Sequence, residues 1–171
     1  MEILIFSDSH GALSSMRRVI EAHPGATHIL FCGDGIKDIT ALEKDFPKRV
    51  FLSVKGNCDA WFSPGECPTE RLFTLGGLRI LMMHGHTHGV KGSYGVAASY
   101  AAKEGADILL FGHTHLPFEG GLSVKEKRVH LFNPGSIGER GGDASYGVLT
   151  VRENGYLFSH GHLKDMKGDL T

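Results

Sequence analysis

Glu2-Ile3-Leu4-Ile5-Phe6-Ser7-Asp8-Ser9-His10-Gly11 holds four consecutive apolar residues, Ile3 to Phe6, and then switches to polar groups and glycine. A run of that length reads as a buried strand, too short for a helix. The polar loop leads into residues 12–22, where Leu13, Met16, Val19 and Ile20 fall on one face at helical spacing. The same unit then recurs. His28 to Cys32 reads as a second strand, Gly33-Asp34-Gly35 as its junction, and Ile36, Ile39, Leu42 and Phe46 as the buried stripe of a second helix that Pro47 ends. Val50 to Val54 is a third strand and runs into Gly56-Asn57-Cys58-Asp59. Strands alternating with amphipathic helices define an α/β fold.

Outward from this core the pattern changes. Residues 72–75 and 78–83 flank Gly76-Gly77, a pair suited to the positive φ angles of a two-residue hairpin, so these strands are expected to be antiparallel. Val96, Ala97, Tyr100 and Ala101 predict a helix over 93–104 that Gly105 closes, and Asp107 to Phe111 predicts another strand. From 122 onward only strands are read, at 122–125, 129–132, 146–152 and 156–160, the last pair joined through Asn154-Gly155. A second, largely antiparallel sheet is expected from them, within a single domain over 1–171.

Composition narrows the function classes. Eighteen Lys and Arg against nineteen Asp and Glu leave a net charge of −1 in 171 residues, which disfavours a long nucleic-acid track. The longest apolar runs fall far short of the roughly 18 residues that span a bilayer. No signal-peptide pattern stands at the start, and three cysteines, Cys32, Cys58 and Cys67, lack Cys-x-x-Cys spacing, so a reduced, cytoplasmic protein is expected.

The residues just past five successive strands share one chemistry. Asp8 and His10, then Asp34, Asn57, His84, and finally His113 and His115 are metal-ligand types, placed where α/β sheets gather ligands. Seven such groups suit two ions, and imidazole with carboxylate but no thiolate favours Mn, Fe, Zn or Ni over Ca or a structural zinc. Gly33, Gly56, Gly85 and Gly112 beside them permit close backbone approach.

In order, Asp8-x-His10, Gly33-Asp34, Gly56-Asn57, the strand-end His84 and Gly112-His113-x-His115 resemble the blocks of the calcineurin-like metallophosphoesterases. Asn133-Pro134-Gly135-Ser136 with Glu139-Arg140 resembles a further signature of their small bacterial and archaeal phosphodiesterase branch. The resemblance implies a four-layer α-β-β-α sandwich of two mixed sheets flanked by helices. It implies that Asp8, His10 and His115 hold one metal, that Asn57, His84 and His113 hold the other, and that Asp34 and a water or hydroxide bridge them. The expected reaction is metal-dependent hydrolysis of a small phosphodiester, with Mn the first choice of metal and Ni, Fe or Zn the alternatives. Relatives of this kind often form dimers or tetramers.

One departure bears on mechanism. Where many relatives carry a histidine able to protonate the leaving oxygen, this chain has Cys58, a poor proton donor near neutrality, so leaving groups of low pKa are favoured. His86, two residues past His84, is the candidate replacement, and Asp34, Asn57 and His86 form the expected catalytic set. His23, His28, His130, His160 and His162 read as structural or solvated, and Lys125, Lys127 and Arg128 as a solvated turn. Trp61 and Phe62 could wall the site, mediate self-association or pack in the core, and Arg140 could reach a substrate phosphate or form a structural ion pair, so it stays outside the catalytic set. The competing class is a non-catalytic protein-binding scaffold of the same fold, as in the retromer subunit; the complete set of ligand types weighs against it.

Overall fold

The computed structural model describes residues 1–59, 67–139 and 143–166. Trp61, Phe62 and Arg140 lie outside the described residues. The first half builds β1 (Glu2–Phe6), α1 (Leu13–Ala22), β2 (Ala26–Phe31), α2 (Ile36–Asp45) and β3 (Val50–Ser53). It continues with β4 (Glu70–Leu75), β5 (Leu78–Met83), α3 (Gly95–Lys103) and β6 (Ile108–Leu110). Two hairpins complete it, β7 (Pro117–Val124) with β8 (Lys127–Pro134) and β9 (Ser145–Arg152) with β10 (Gly155–His162).

The strands form two mixed five-stranded sheets, ordered β10-β9-β1-β2-β3 and β4-β5-β6-β8-β7. Strands β1, β2 and β3 are parallel to one another, as are β5, β6 and β8, while the outer hairpin strands are antiparallel. The alternation of side chains along β1 sets the layers. Leu4 and Phe6 pack with Met16, Val19 and Ile20 of α1 and Ile39 and Leu42 of α2. Ile3 and Ile5 face the other way and meet Ile80, Met82, Ile108, Leu110 and Phe132 of the second sheet. Leu81, Met83, Leu109 and Leu131 cover that sheet's far side with Ala97, Ala98 and Ala101 of α3. The result is the four-layer sandwich, each buried Leu, Ile or Phe contributing about 1.5–3 kcal/mol of apolar burial.

Two expectations need correction. The strands after 122 do not make a sheet of their own: β7 and β8 extend the second sheet, while β9 pairs antiparallel with β1 and brings β10 into the first. Hairpin signals fix the local partner, but the sheet each hairpin joins is decided by more distant pairing, of β8 with β6 in one case and of β9 with β1, more than a hundred residues away, in the other. Strand β7 also begins at Pro117, five residues earlier than expected, because Gly120 and Gly121 make its first half read as loop. Those glycines leave room for neighbours: a Cβ at Gly120 would lie 2.8 Å from the Phe118 ring, and one at Gly121 would lie 2.7 Å from the Arg128 guanidinium. The solvated-turn reading holds in part only, since Lys127 pairs with Asp107 at 2.7 Å. His23, His130 and His160 are structural as expected, bonded to Glu2 and Tyr146, to Glu119 and Tyr156, and to the Asn133 carbonyl. Among the described residues, no helix is long and apolar enough to cross a membrane.

Candidate metal centre

Parallel strands end on the same side, so the loops after β1, β2, β3, β5 and β6 gather at one edge of the sandwich, and the ladders bind those loops together. The Asp8 amide donates to the Gly33 carbonyl at 2.9 Å, the His10 amide to Asp34 at 3.3 Å, and the Gly112 amide to His84 at 3.2 Å. Asp8, His10, Asp34, His113 and His115 all adopt positive φ, from 44° to 68°. For residues other than glycine this left-handed region costs on the order of 1 kcal/mol or more each, and such strain collects where a side chain must be aimed.

The aimed side chains converge. Asp8 Oδ1 lies 3.3 Å from His115 Nε2, 3.9 Å from His84 Nε2 and 4.0 Å from His10 Nε2. The His10 and His115 Nε2 atoms are 3.4 Å apart. On the other side, His84 Nε2 is 3.4 Å from Asp34 Oδ2 and 3.2 Å from Asn57 Oδ1. The His113 ring sits 4.9 Å from that of His84, centroid to centroid. Thus all seven sequence-predicted groups meet. Asp8 with His10 and His115, and Asp8 with Asp34 and His84, form two ligand clusters within 4.8 Å, with Asp8 common to both.

Partners behind the ring nitrogens orient them. His84 Nδ1 donates to the Cys32 carbonyl at 2.8 Å, and His115 Nδ1 meets Glu139 Oε1 at 2.7 Å, which leaves each Nε2 facing the cluster. Asp8 Oδ2 accepts from the Ser7 hydroxyl and from the His113 amide. Its other oxygen, Oδ1, is buried without a hydrogen-bond partner. An orphaned carboxylate oxygen among imidazole nitrogens fits a cation, which would supply the missing partner.

The charges are strongly coupled. Burial pushes Asp8 upward against the pull of His84. Burial acts the same way on Asp34, but the hydrogen bond and charge of His84, with the Cys58 amide, outweigh it and hold that carboxyl well below its ordinary range. Burial lowers His84, yet Asp34 and Asp8 together raise it above the ordinary histidine value. Burial and the His84 charge bring His113 down to about 4, so its ring is neutral at physiological pH. His86 is lowered by the same two causes, its ring 5.4 Å from His84 and its buried Nδ1 unpartnered.

Three positioning groups have no part assigned from the sequence, although Asn133 and Ser136 stand in the block that resembles a family signature. Asp59 accepts four backbone amides, from Asp34, Gly35, Ile36 and Gly56, at 2.8–2.9 Å, and so joins two of the loops. The available hint is that α2 starts at Gly35 without a capping side chain, leaving its first amides in need of an acceptor. Asn133 Nδ2 donates to the Gly112 carbonyl and to Thr114 Oγ1, and Ser136 Oγ donates to the Asp8 carbonyl. The Asn133–Ser136 block therefore holds the loops after β6 and β1. Gly33, Gly56 and Gly112 allow close approach, a Cβ at Gly112 landing 1.8 Å from Ser7 Oγ and 2.8 Å from Asp8 Oδ2. Gly85 instead serves a turn against Val90.

Comparison with known proteins agrees with this geometry. The calcineurin-like phosphoesterase superfamily domain matches residues 1–154. The chain belongs to that superfamily. This calcineurin-like phosphoesterase is 35% identical over 159 residues to "Probable metallophosphoesterase YsnB" of Bacillus subtilis strain 168, covering 90% of this chain and 86% of the relative. It is 31% identical over 172 residues to phosphodiesterase YfcE of Escherichia coli K12, covering 87% of each. Among solved structures, Vps29 complexed with Zn2+ from Entamoeba histolytica superposes with a TM-score of 0.75 at 22% identity, over 98% of this chain and 95% of that one. That likeness shows that the calcineurin-like fold is shared.

Proposed function

We propose that this chain is a metal-dependent phosphodiesterase with a dinuclear centre, acting on a small phosphodiester. The observation that carries the reading is the partnerless Asp8 Oδ1 buried amid His10, His84 and His115. Similarity to YfcE, a phosphodiesterase, supports the reaction class. Asp8, His10 and His115 would hold one ion, Asn57, His84 and His113 the other, and Asp34 would lie between them. Mn is the first candidate for both positions, with Ni, Fe or Zn as alternatives. Bound there, two divalent ions activate water at neutral pH and offset charge on the phosphoryl oxygens.

The chain's own groups do the rest. Asn57 offers a neutral amide oxygen and so adds no negative charge beside an anionic substrate. Burial and the neighbouring Asp34 carboxylate push the Cys58 thiol up to about 11, so it is a weak donor to a leaving oxygen. His86, partly buried with its ring 5.4 Å from that of His84 and its Nδ1 unpartnered, is the candidate donor. With so weak an acid at position 58, leaving groups of low pKa are turned over fastest.

The test is hydrolysis of bis(p-nitrophenyl) phosphate by chelator-stripped protein, with Mn, Ni, Fe, Zn or Mg restored singly. Activity that returns with metal in the wild type and not in Asp34→Asn supports the proposal. Metal-dependent hydrolysis that survives Asp34→Asn refutes it. Metal binding without hydrolysis of any diester favours the scaffold class instead.

A further inference from the structure

Cys58 introduces a donor that the seven nitrogen and oxygen ligands lack. Its sulfur, a ring nitrogen of His10 and a carboxylate oxygen of Asp34 lie within 4.8 Å of one another. The three residues line one open cleft of about 230 Å3 together with Gly11, Gly35 and Lys37. The link between sulfur and carboxylate is fixed by the backbone: the Cys58 amide donates to Asp34 Oδ1 at 2.8 Å, at the start of a short turn over Asn57–Asp59. Asn57 Nδ2 approaches the sulfur at 3.3 Å, so the group next to the thiol is a donor able to support a thiolate. Three protein ligands of mixed sulfur, nitrogen and oxygen, facing solvent, are the donor set of an open zinc-type site.

The geometry points to a second, overlapping metal site made by His10, Asp34 and Cys58, which takes thiophilic divalent cations such as Zn2+ and Cd2+. Soft thiolate selects these ions over Mn2+. Because the site borrows His10 and Asp34, filling it withdraws two ligands from the proposed catalytic pair. An ion held through Cys58 therefore competes with the proposed pair for those two ligands. On binding, a coordinate bond forms from Sγ to the cation, the S–H bond breaks, the proton leaves to solvent, and no redox change occurs. A cation seated beside the Asp34 carboxylate favours the thiolate over the thiol.

The inference rests on reading this edge as metal-binding, but its test does not need hydrolysis. Metal-free wild type, Cys58→Ser and Cys67→Ser are titrated with Cd2+, following ultraviolet thiolate-to-cadmium charge transfer and, by calorimetry, affinity. The band is expected in wild type and Cys67→Ser and absent in Cys58→Ser. Cd2+ affinity in Cys58→Ser falls by roughly tenfold or more, at least the effect of losing an outer-shell partner. Mn2+ affinity stays within about threefold, since a hard cation gains little from sulfur. In the wild type, saturating Cd2+ shields Cys58 from alkylation. A band that persists in Cys58→Ser, or alkylation unchanged by Cd2+, overturns the site. A Cys58-dependent band in a protein that hydrolyses no diester keeps this site and refutes the proposed activity, and an active protein without the band does the reverse.

Discussion

Replacing Asp59 by asparagine tests whether one carboxylate assembles the loops that carry Asp34 and Asn57. The side chain is 4% exposed, and each oxygen is filled twice: Oδ1 by the amides of Gly35 and Ile36, Oδ2 by those of Asp34 and Gly56. Asparagine preserves the shape but turns one oxygen into an NH2 that faces two donors. Two charge-assisted hydrogen bonds disappear, at ~1.5–3 kcal/mol each, for an expected loss of about 3–6 kcal/mol. Water entry and small loop shifts recover part of this, so the lower end is expected, still a large share of a stability of about 5–15 kcal/mol. Urea denaturation of metal-free protein reads it directly. With an m-value of ~1–3 kcal/mol/M, the midpoint falls by on the order of 1–3 M at unchanged slope. Metal affinity should fall too, because the Asp34 amide is one of the four donors. A stability change below about 1 kcal/mol together with unaltered metal affinity would refute the assembling role.

Three further outcomes follow from the geometry. Gly112→Ala should fold but bind Mn2+ more weakly and lose about 1–3 kcal/mol of stability, because its Cβ must displace the Ser7 hydroxyl and press on Asp8; calorimetric titration and thermal denaturation check both. His86→Gln should slow alkyl diesters by about 10²-fold and bis(p-nitrophenyl) phosphate by far less, as befits a group aiding a poor leaving group; equal losses in kcat for both substrates would point to misplaced loops. Lys127→Met should cost under about 1 kcal/mol near neutrality, since this ion pair is well exposed. The Lys127 hydrogen bond holds Asp107 below its ordinary value of 3.8, so that contribution is present above this pH and vanishes as the pH falls through the lower folded value; acid titrations of the two proteins should converge.

The fold was most legible where local patterns coincide with tertiary demands. β1, β2 and β3 are apolar runs that stop at polar loops, and the alternation of Ile3 and Ile5 with Leu4 and Phe6 feeds two different layers. Gly76 and Gly77 have φ of 60° and 80°, as the hairpin requires. The first half of β7 was illegible because glycines there accommodate the Phe118 ring and the Arg128 side chain, a requirement no local pattern expresses. Pairing of β9 with β1 was illegible for a related reason, since register across such a separation is set by packing alone. At the site, the ligand types could be read because strand ends place them. Asp59 could not be assigned its part, because its partners are backbone amides and backbone amides have no sequence.

The candidate centre is divided between the two sheets. Asp8, His10, Asp34 and Asn57 follow strands of the first, while His84, His113 and His115 follow strands of the second. Neither half supplies all seven groups of the proposed pair, so an ion held from both sides would act as a rivet through the face where the sheets meet. By mass action it would add about 2.7 kcal/mol at a free concentration a hundred times Kd. The same division makes competence a product of finished assembly. A chain whose sheets have not yet docked would hold only part of the proposed coordination shell, and by the proposed chemistry would have no means of attacking phosphate esters before it is folded.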